Sequence, residues 1–199
     1  PSRVCLNKRN SKGDEMISGI SEMPITDESY PFSSAERYCH LSAKGYVERE
    51  YRVDGTANVY RTADEDGGVE VMTADAPYSN RIVVRAPKDP AQASGNVVVE
   101  IINPTSFMEI ERMWILGYGE FVRSGDIYVG ITSKPNTIAK LKEFNPDRYG
   151  FMSWANPTPE RPFDYDPKQL ERGGALPDMD ISYETGLFWD MLTDLAWLL

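Results

Sequence analysis

The sequence predicts an α/β fold with a mixed sheet, in which antiparallel strands lead and parallel βαβ units follow. Three observations carry this. Residues 96–103 hold Val97, Val98, Val99, Ile101 and Ile102, a β-branched run that suits a strand covered on both faces, with only Glu100 interrupting it. From Phe107 the apolar residues recur three and four apart, through Ile110, Met113 or Trp114, Gly117 and Phe121, which is helical spacing. Arg123 and Gly125 then give the usual signs of a helix end, and Ile127, Tyr128, Val129 and Ile131 form a second apolar run. Strand, helix and strand in one short stretch make a βαβ unit, with parallel strands and a right-handed crossover.

Between the first strand and the helix lies the loop Asn103-Pro104-Thr105-Ser106. Ligands of open parallel sheets bind at the carboxyl ends of strands. Backbone N–H groups at a helix N-terminus can receive an anion or a developing oxyanion. Thr105 or Ser106 can equally cap the helix, and the two roles are compatible.

Ahead of this unit, Tyr46–Thr62 alternates: Val47, Arg49, Tyr51 and Val53 on one side, Glu48, Glu50 and Arg52 on the other. With Asp54-Gly55 as a turn signal, it reads as an antiparallel hairpin with one wet face. Residues 64–68 are an acidic, Gly-containing turn without calcium-loop spacing. Residues 80–87 read as another strand, stopped by Pro87, and 88–95 as a surface loop. Residues 1–44 form an N-terminal arm, with a helical turn from about Pro31 towards Lys44 that carries His40, the sole histidine.

Beyond the βαβ unit, residues 138–144 read as a short helix. Residues 145–177 are an aromatic and Pro-rich insertion containing Tyr149, Phe151, Trp154, Phe163 and Tyr165. A long irregular segment either covers a functional site or packs its aromatics onto the core. Trp154 is expected in a substrate pocket, together with Phe107. A final helix, with Asp178, Asp180 and Ser182 near its start, shows Leu187, Phe188, Met191, Leu192, Leu195, Leu198 and Leu199 on a wide apolar face. It reaches Leu199 without a stop signal and reads as cut within the element. Seven such side chains left wet would forgo on the order of 10 kcal/mol, so outside protein is expected to cover them.

Whole-chain properties narrow the partners. In 199 residues the net charge is -10, which disfavours nucleic acid and anionic membrane surfaces. No apolar run approaches the roughly 20 residues of a membrane span, so a soluble protein is expected. Cys5 and Cys39 are too few for a disulfide framework and lack metal-site spacing. They are either two thiols or one bridge; a bridge would imply a periplasmic or secreted protein. No cofactor and no metal are expected.

Residues 45–51 (GYVEREY), 55–60 (GTANVY), 144–150 (FNPDRYG) and 187–192 (LFWDML) resemble segments of a bacterial family of esterase-like alpha/beta-hydrolase-domain proteins. The resemblance covers about residues 40–199 and implies the N-terminal half of an α/β-hydrolase fold, with 45–199 as that half-domain. The family acts through a Ser on a Gly-x-Ser-x-Gly elbow, then an acid, then a His. No Gly-x-Ser-x-Gly occurs here, and His40 precedes the core strands. The resemblance therefore implies a serine hydrolase of carboxylic esters to which this chain gives the oxyanion loop and a pocket wall. The nucleophile and the His lie elsewhere, in a C-terminal half or second chain, so the chain alone should be inactive on a small ester. Two other readings remain: a non-catalytic α/β binding module, and an enzyme using carboxylates such as Asp164 and Asp166.

The cysteine expectation is directly measurable. If Cys5 and Cys39 pair, peptide mapping without reductant recovers a linked peptide, with the sulfurs about 2.0 Å apart. A distance above about 7 Å between their Cα atoms rules the bridge out.

Overall fold

The computed structural model describes residues 16–30, 39–63, 67–105, 108–159 and 182–199. Its sheet has five strands: β1 (Ile17–Met23), β2 (Tyr46–Thr62), β3 (Val69–Pro87), β4 (Val97–Ile101) and β5 (Ile127–Ile131). Their order is β1-β2-β3-β5-β4. The first three strands and the β3–β5 pair are antiparallel, while β4 and β5 are parallel, with Val97 opposite Ile127 and Ile101 opposite Ile131. Helix α1 (Arg112–Ser124) makes the crossover, and Gly125 ends it in the left-handed conformation, φ 79°. The mixed sheet and the βαβ unit stand as the sequence predicts.

Three local expectations change. First, β2 runs through Asp54 and Gly55 without turning, and Gly55 pairs with Tyr78. The glycine serves close approach: a Cβ there would lie 2.3 Å from the Met16 carbonyl oxygen and 2.8 Å from the Tyr78 ring. Second, β1 comes from the N-terminal arm and pairs with β2, so part of that arm is sheet.

Third, the face of β2 expected to be wet is covered. Glu50 is fully buried and the Glu48 side chain nearly so, because Arg81 and Arg85 of β3 meet them there. The converse holds in β4. Glu100, the interruption, is 3% exposed, while Val99 and Ile101 are 36% and 47% exposed. Among the described residues β4 is an edge strand, with α1 on one side only. Glu100 points to the α1 side, where it has partners.

After β5 come α2 (Pro135–Phe144) and the single turn α3 (Pro146–Tyr149). Helix α4 (Leu187–Leu198) begins after Gly186 with no side-chain cap; Asp178 and Asp180 lie outside the described residues. Leu187, Phe188, Met191 and Leu195 are buried against the sheet, and Leu192 and Leu198 are half-buried. The chain's own core thus covers six of the seven side chains expected to stand wet, so their burial does not require outside protein. Trp189, Trp197 and Leu199 are exposed.

Asp190 ties α4 to β2, accepting from the Asn58 N–H at 2.8 Å and the Tyr60 hydroxyl at 3.0 Å. One turn on, Asp194 Oδ2 is buried with no hydrogen-bond partner among the described residues. Burial, and then the charge of Asp190, push its pKa up to about 6. The folded chain therefore holds this proton more tightly than the unfolded chain does. The stabilisation is full below the ordinary aspartate range and is lost as pH rises through about 6. Asp194→Asn should raise Tm, and the gain should be larger near about pH 7.5 than near about pH 4. Melting curves of both proteins at the two pH values decide it; an equal gain at both contradicts the assignment.

Candidate functional site

Because β4 and β5 are parallel, their carboxyl ends form one rim. The ladder runs one residue past the strands, with the Ile102 N–H donating to the Ile131 carbonyl at 3.1 Å. The Ser133 hydroxyl donates to the Ile102 carbonyl at 2.6 Å. The chain then leaves β4 as a loop that closes on itself. Asn103 and Ile110 exchange backbone hydrogen bonds of 3.2 and 2.9 Å. Asn103 Oδ1 accepts from the Thr105 N–H at 2.8 Å and also from the Thr105 hydroxyl, an Asx turn that sets the backbone after Pro104. Ser106 and Phe107 lie outside the described residues.

Helix α1 starts at Arg112 rather than near Phe107, since Ile110 is paired with Asn103 ahead of it. Thr105 does not cap it, and the N-cap residue Glu111 makes no capping hydrogen bond. Glu100 takes that part: its carboxylate accepts from the N–H groups of Met113 at 2.8 Å and Trp114 at 3.1 Å. It also accepts from the Tyr128 hydroxyl at 2.6 Å. A carboxylate there is favoured by the helix dipole. The helix N–H groups that the sequence offered to an oxyanion are thus occupied, as are the N–H groups of Asn103 and Thr105 within the loop, and Pro104 has none.

Beneath the loop is a layer of buried charge. Arg81 and Arg85 share one face of β3 and are about 1% and 0% exposed. Arg81 donates through Nε to Glu50 and through Nη1 to Glu109. The Thr132 hydroxyl donates to the other oxygen of Glu109. Arg85 donates through Nε to Glu48 at 2.6 Å and through Nη2 to both oxygens of Glu111, at 2.9 and 2.7 Å. The Arg85 guanidinium also lies 4.5 Å from the Trp114 ring centroid and 5.1 Å from that of Tyr128, close enough for cation–π attraction. Arg148 holds the second oxygen of Glu50, so three guanidinium groups face Glu48, Glu50, Glu109 and Glu111.

Burial and the arginine partners compete in setting the charge of these carboxylates. Burial raises the Glu50 carboxyl, but Arg81 and Arg148 outweigh it and hold the group below the ordinary glutamate range. For Glu111 burial wins over Arg85 and pushes the carboxyl up to about 7. Tyr128 is held neutral by burial and then by Glu111, which suits its role as a donor to Glu100.

The other expected site residues are dispersed. Trp154 is fully buried, its ring 5.8 Å from that of Phe188. With Tyr149 and Met152 it packs onto the core, so it is not the wall of an open pocket. A cavity of about 10 Å³ lies between α4 and the sheet, lined in part by Tyr78, Asn80 and Met191. That is water-sized and too small for an acyl chain. Cys39 is buried beside Leu41 and Trp114; Cys5, Asp164 and Asp166 lie outside the described residues. His40 is exposed, with φ 49°. It precedes the start of β2, which pairs with the end of β3 near the start of β5, so it sits at the amino end of the parallel strands, opposite the rim. No group of three or more His, Cys, Asp or Glu that could hold a metal is found among the described residues, and none of the described helices is long and apolar enough to cross a membrane.

The glutamates and arginines under the loop were missed from the sequence, yet a signal was present. Arg81 and Arg85 bracket Ile82, Val83 and Val84, and Glu100 interrupts VVVEII. A charge inside a strand that is otherwise apolar must be paired when buried, and Glu48 and Glu50 were available on one face of the neighbouring strand.

No curated protein and no solved structure gives a significant match to this sequence. A family model does: that of the alpha/beta hydrolase domain matches residues 20–199. With the mixed sheet, the crossover helix and the loop at the carboxyl end of β4, this places the chain in the alpha/beta hydrolase domain family.

Proposed function

We propose that this domain is part of a serine hydrolase that cleaves carboxylic esters by acyl transfer. In this reading, loop 103–106 gives the Ser106 backbone N–H to the oxyanion, those of Asn103 and Thr105 being engaged within the loop, and Phe107 lines the acyl pocket. The nucleophilic Ser and the His come from protein outside these residues. The supporting observation is the state of β4. The strand that bears the loop is the sheet's edge among the described residues, and Val99 and Ile101 stand half-exposed on it. Such an edge is a template for another strand. A parallel strand added there would run about 4.8 Å away and bring its own carboxyl end beside the loop.

The chemistry follows from that placement. A Ser at the end of the added strand attacks the acyl carbon while a His takes the hydroxyl proton. Negative charge then gathers on the former carbonyl oxygen, where an N–H donor of the loop stabilises it. Collapse expels the alcohol, which receives the proton from the His. Water repeats the sequence on the acyl-enzyme and releases the acid. The present chain lacks Gly-x-Ser-x-Gly, its His40 lies at the far end of the sheet, and Ser133 at the rim is buried and bonded to Ile102.

The alternative, a non-catalytic binding module, uses the same edge and differs in outcome. Residues 1–199 alone are expected to hydrolyse p-nitrophenyl acetate no faster than buffer and to take no fluorophosphonate label. An assembly that also carries the segment pairing with β4 should do both, with the label on that segment. Hydrolysis by residues 1–199 that disappears when one of their own serines is changed overturns the placement of the nucleophile. An assembly that neither hydrolyses nor labels supports the binding module.

A further inference from the structure

Two cations stand at the carboxyl end of the parallel strands. Ile110 exchanges backbone hydrogen bonds with Asn103, and two residues on is Arg112, where α1 begins. Ser133 donates to the Ile102 carbonyl, and its neighbour Lys134 is the N-cap residue of α2. Arg112 and Lys134 are therefore rooted on either side of residues 102–103, one beyond β4 and one beyond β5. Both are exposed, and among the described residues neither side chain makes an ion pair or a hydrogen bond. The carboxylates beside them are turned inward. Glu109 and Glu111 are buried on Arg81 and Arg85, and Glu100 is buried on the N–H groups of Met113 and Trp114. The chain as a whole has a net charge of -10, so two unpaired cations on this rim run against its composition. The N-terminus of α2 adds the positive end of a helix dipole at the same place.

Resting on the hydrolase reading above, we propose that Arg112 and Lys134 select esters that carry a second, anionic group. The two side chains attract and hold that group while the ester carbonyl meets the nucleophile at the rim. They determine specificity and touch none of the reacting atoms. Charge of one sign at the mouth of a site raises the local concentration of oppositely charged substrate, and salt weakens the effect.

Matched ester pairs test this in the assembled hydrolase. One pair places the anion on the acyl side, p-nitrophenyl hydrogen succinate against the neutral p-nitrophenyl valerate. The other places it on the alcohol side, p-carboxyphenyl butyrate against its methyl ester. In at least one pair kcat/KM should favour the anionic member on the order of tenfold at about 0.02 M salt, and the margin should shrink at about 0.5 M. The pair that shows it tells which side of the ester bears the charge. Arg112→Gln and Lys134→Gln should each cut the margin roughly threefold, the scale of one exposed charge pair, and the double variant should remove it. Arg112→Lys and Lys134→Arg keep the charge and should keep the margin. No margin in either pair, with the neutral esters hydrolysed, overturns the proposal and leaves the hydrolase reading standing. A margin that survives the double variant overturns it as well. An assembly that hydrolyses none of the four esters refutes the hydrolase reading and this inference with it.

Discussion

Two arginines of β3 organise the layer between the sheet and α1. Arg81 and Arg85 stand on one face of a central strand, wholly out of water, and a buried guanidinium without partners would cost several kcal/mol. Each is met by a carboxylate from the neighbouring strand β2 and another from the loop that follows β4. Their need for partners thus binds a local hairpin to a segment distant in sequence. The same face has Tyr128 and Trp114 against Arg85 and Glu100 on the N-terminus of α1. Between the sheet and α1 there is a charged, hydrogen-bonded layer, whereas the face toward α4 is an ordinary apolar core.

This division has a functional consequence. The apolar face gives stability: Trp154, Leu187, Met191 and Leu195 pack against Val53, Ile82 and Ile131. Such packing is tolerant of small shifts and specifies no single loop position. Paired charges in a low-dielectric interior are less forgiving, because geometry decides whether their attraction offsets desolvation. Placing them beneath the rim converts that demand into a fixed loop. Burial without full compensation also raises the Glu111 carboxyl above the ordinary glutamate range.

The elements that the sequence revealed are those governed by local pattern. The alternation of β2, the apolar runs of β4 and β5 and the Gly125 stop all depend on near neighbours and are found in place, while the periodicity read from Phe107 becomes helix only at Arg112. What stayed hidden depends on which faces meet. The alternation at Glu48 and Glu50 shows two faces but not which is wet, and Arg81 and Arg85, far along the chain, reverse the answer. The Asp54-Gly55 pair is a turn signal by composition, yet Gly55 is required because Met16 and Tyr78 approach it. Trp154, in a Pro-rich stretch, reads as a pocket residue until Phe188 is found against it. At the site, the loop at the carboxyl end of β4 was legible from topology alone. Its support was not, since an isolated glutamate such as Glu109 has no local signature of burial.

The central claim is that Arg81 and Glu109 act on each other rather than separately. A double-mutant cycle on folding stability measures this directly, using Arg81→Met, Glu109→Met and the double variant in denaturant unfolding. Each single change leaves a buried charge short of a partner and should cost about 3–5 kcal/mol. The double change removes both charges, so its cost should fall below the sum of the singles by at least about 2 kcal/mol. Additivity within about 0.5 kcal/mol would contradict the account, for the loop would then be held by something other than this pair.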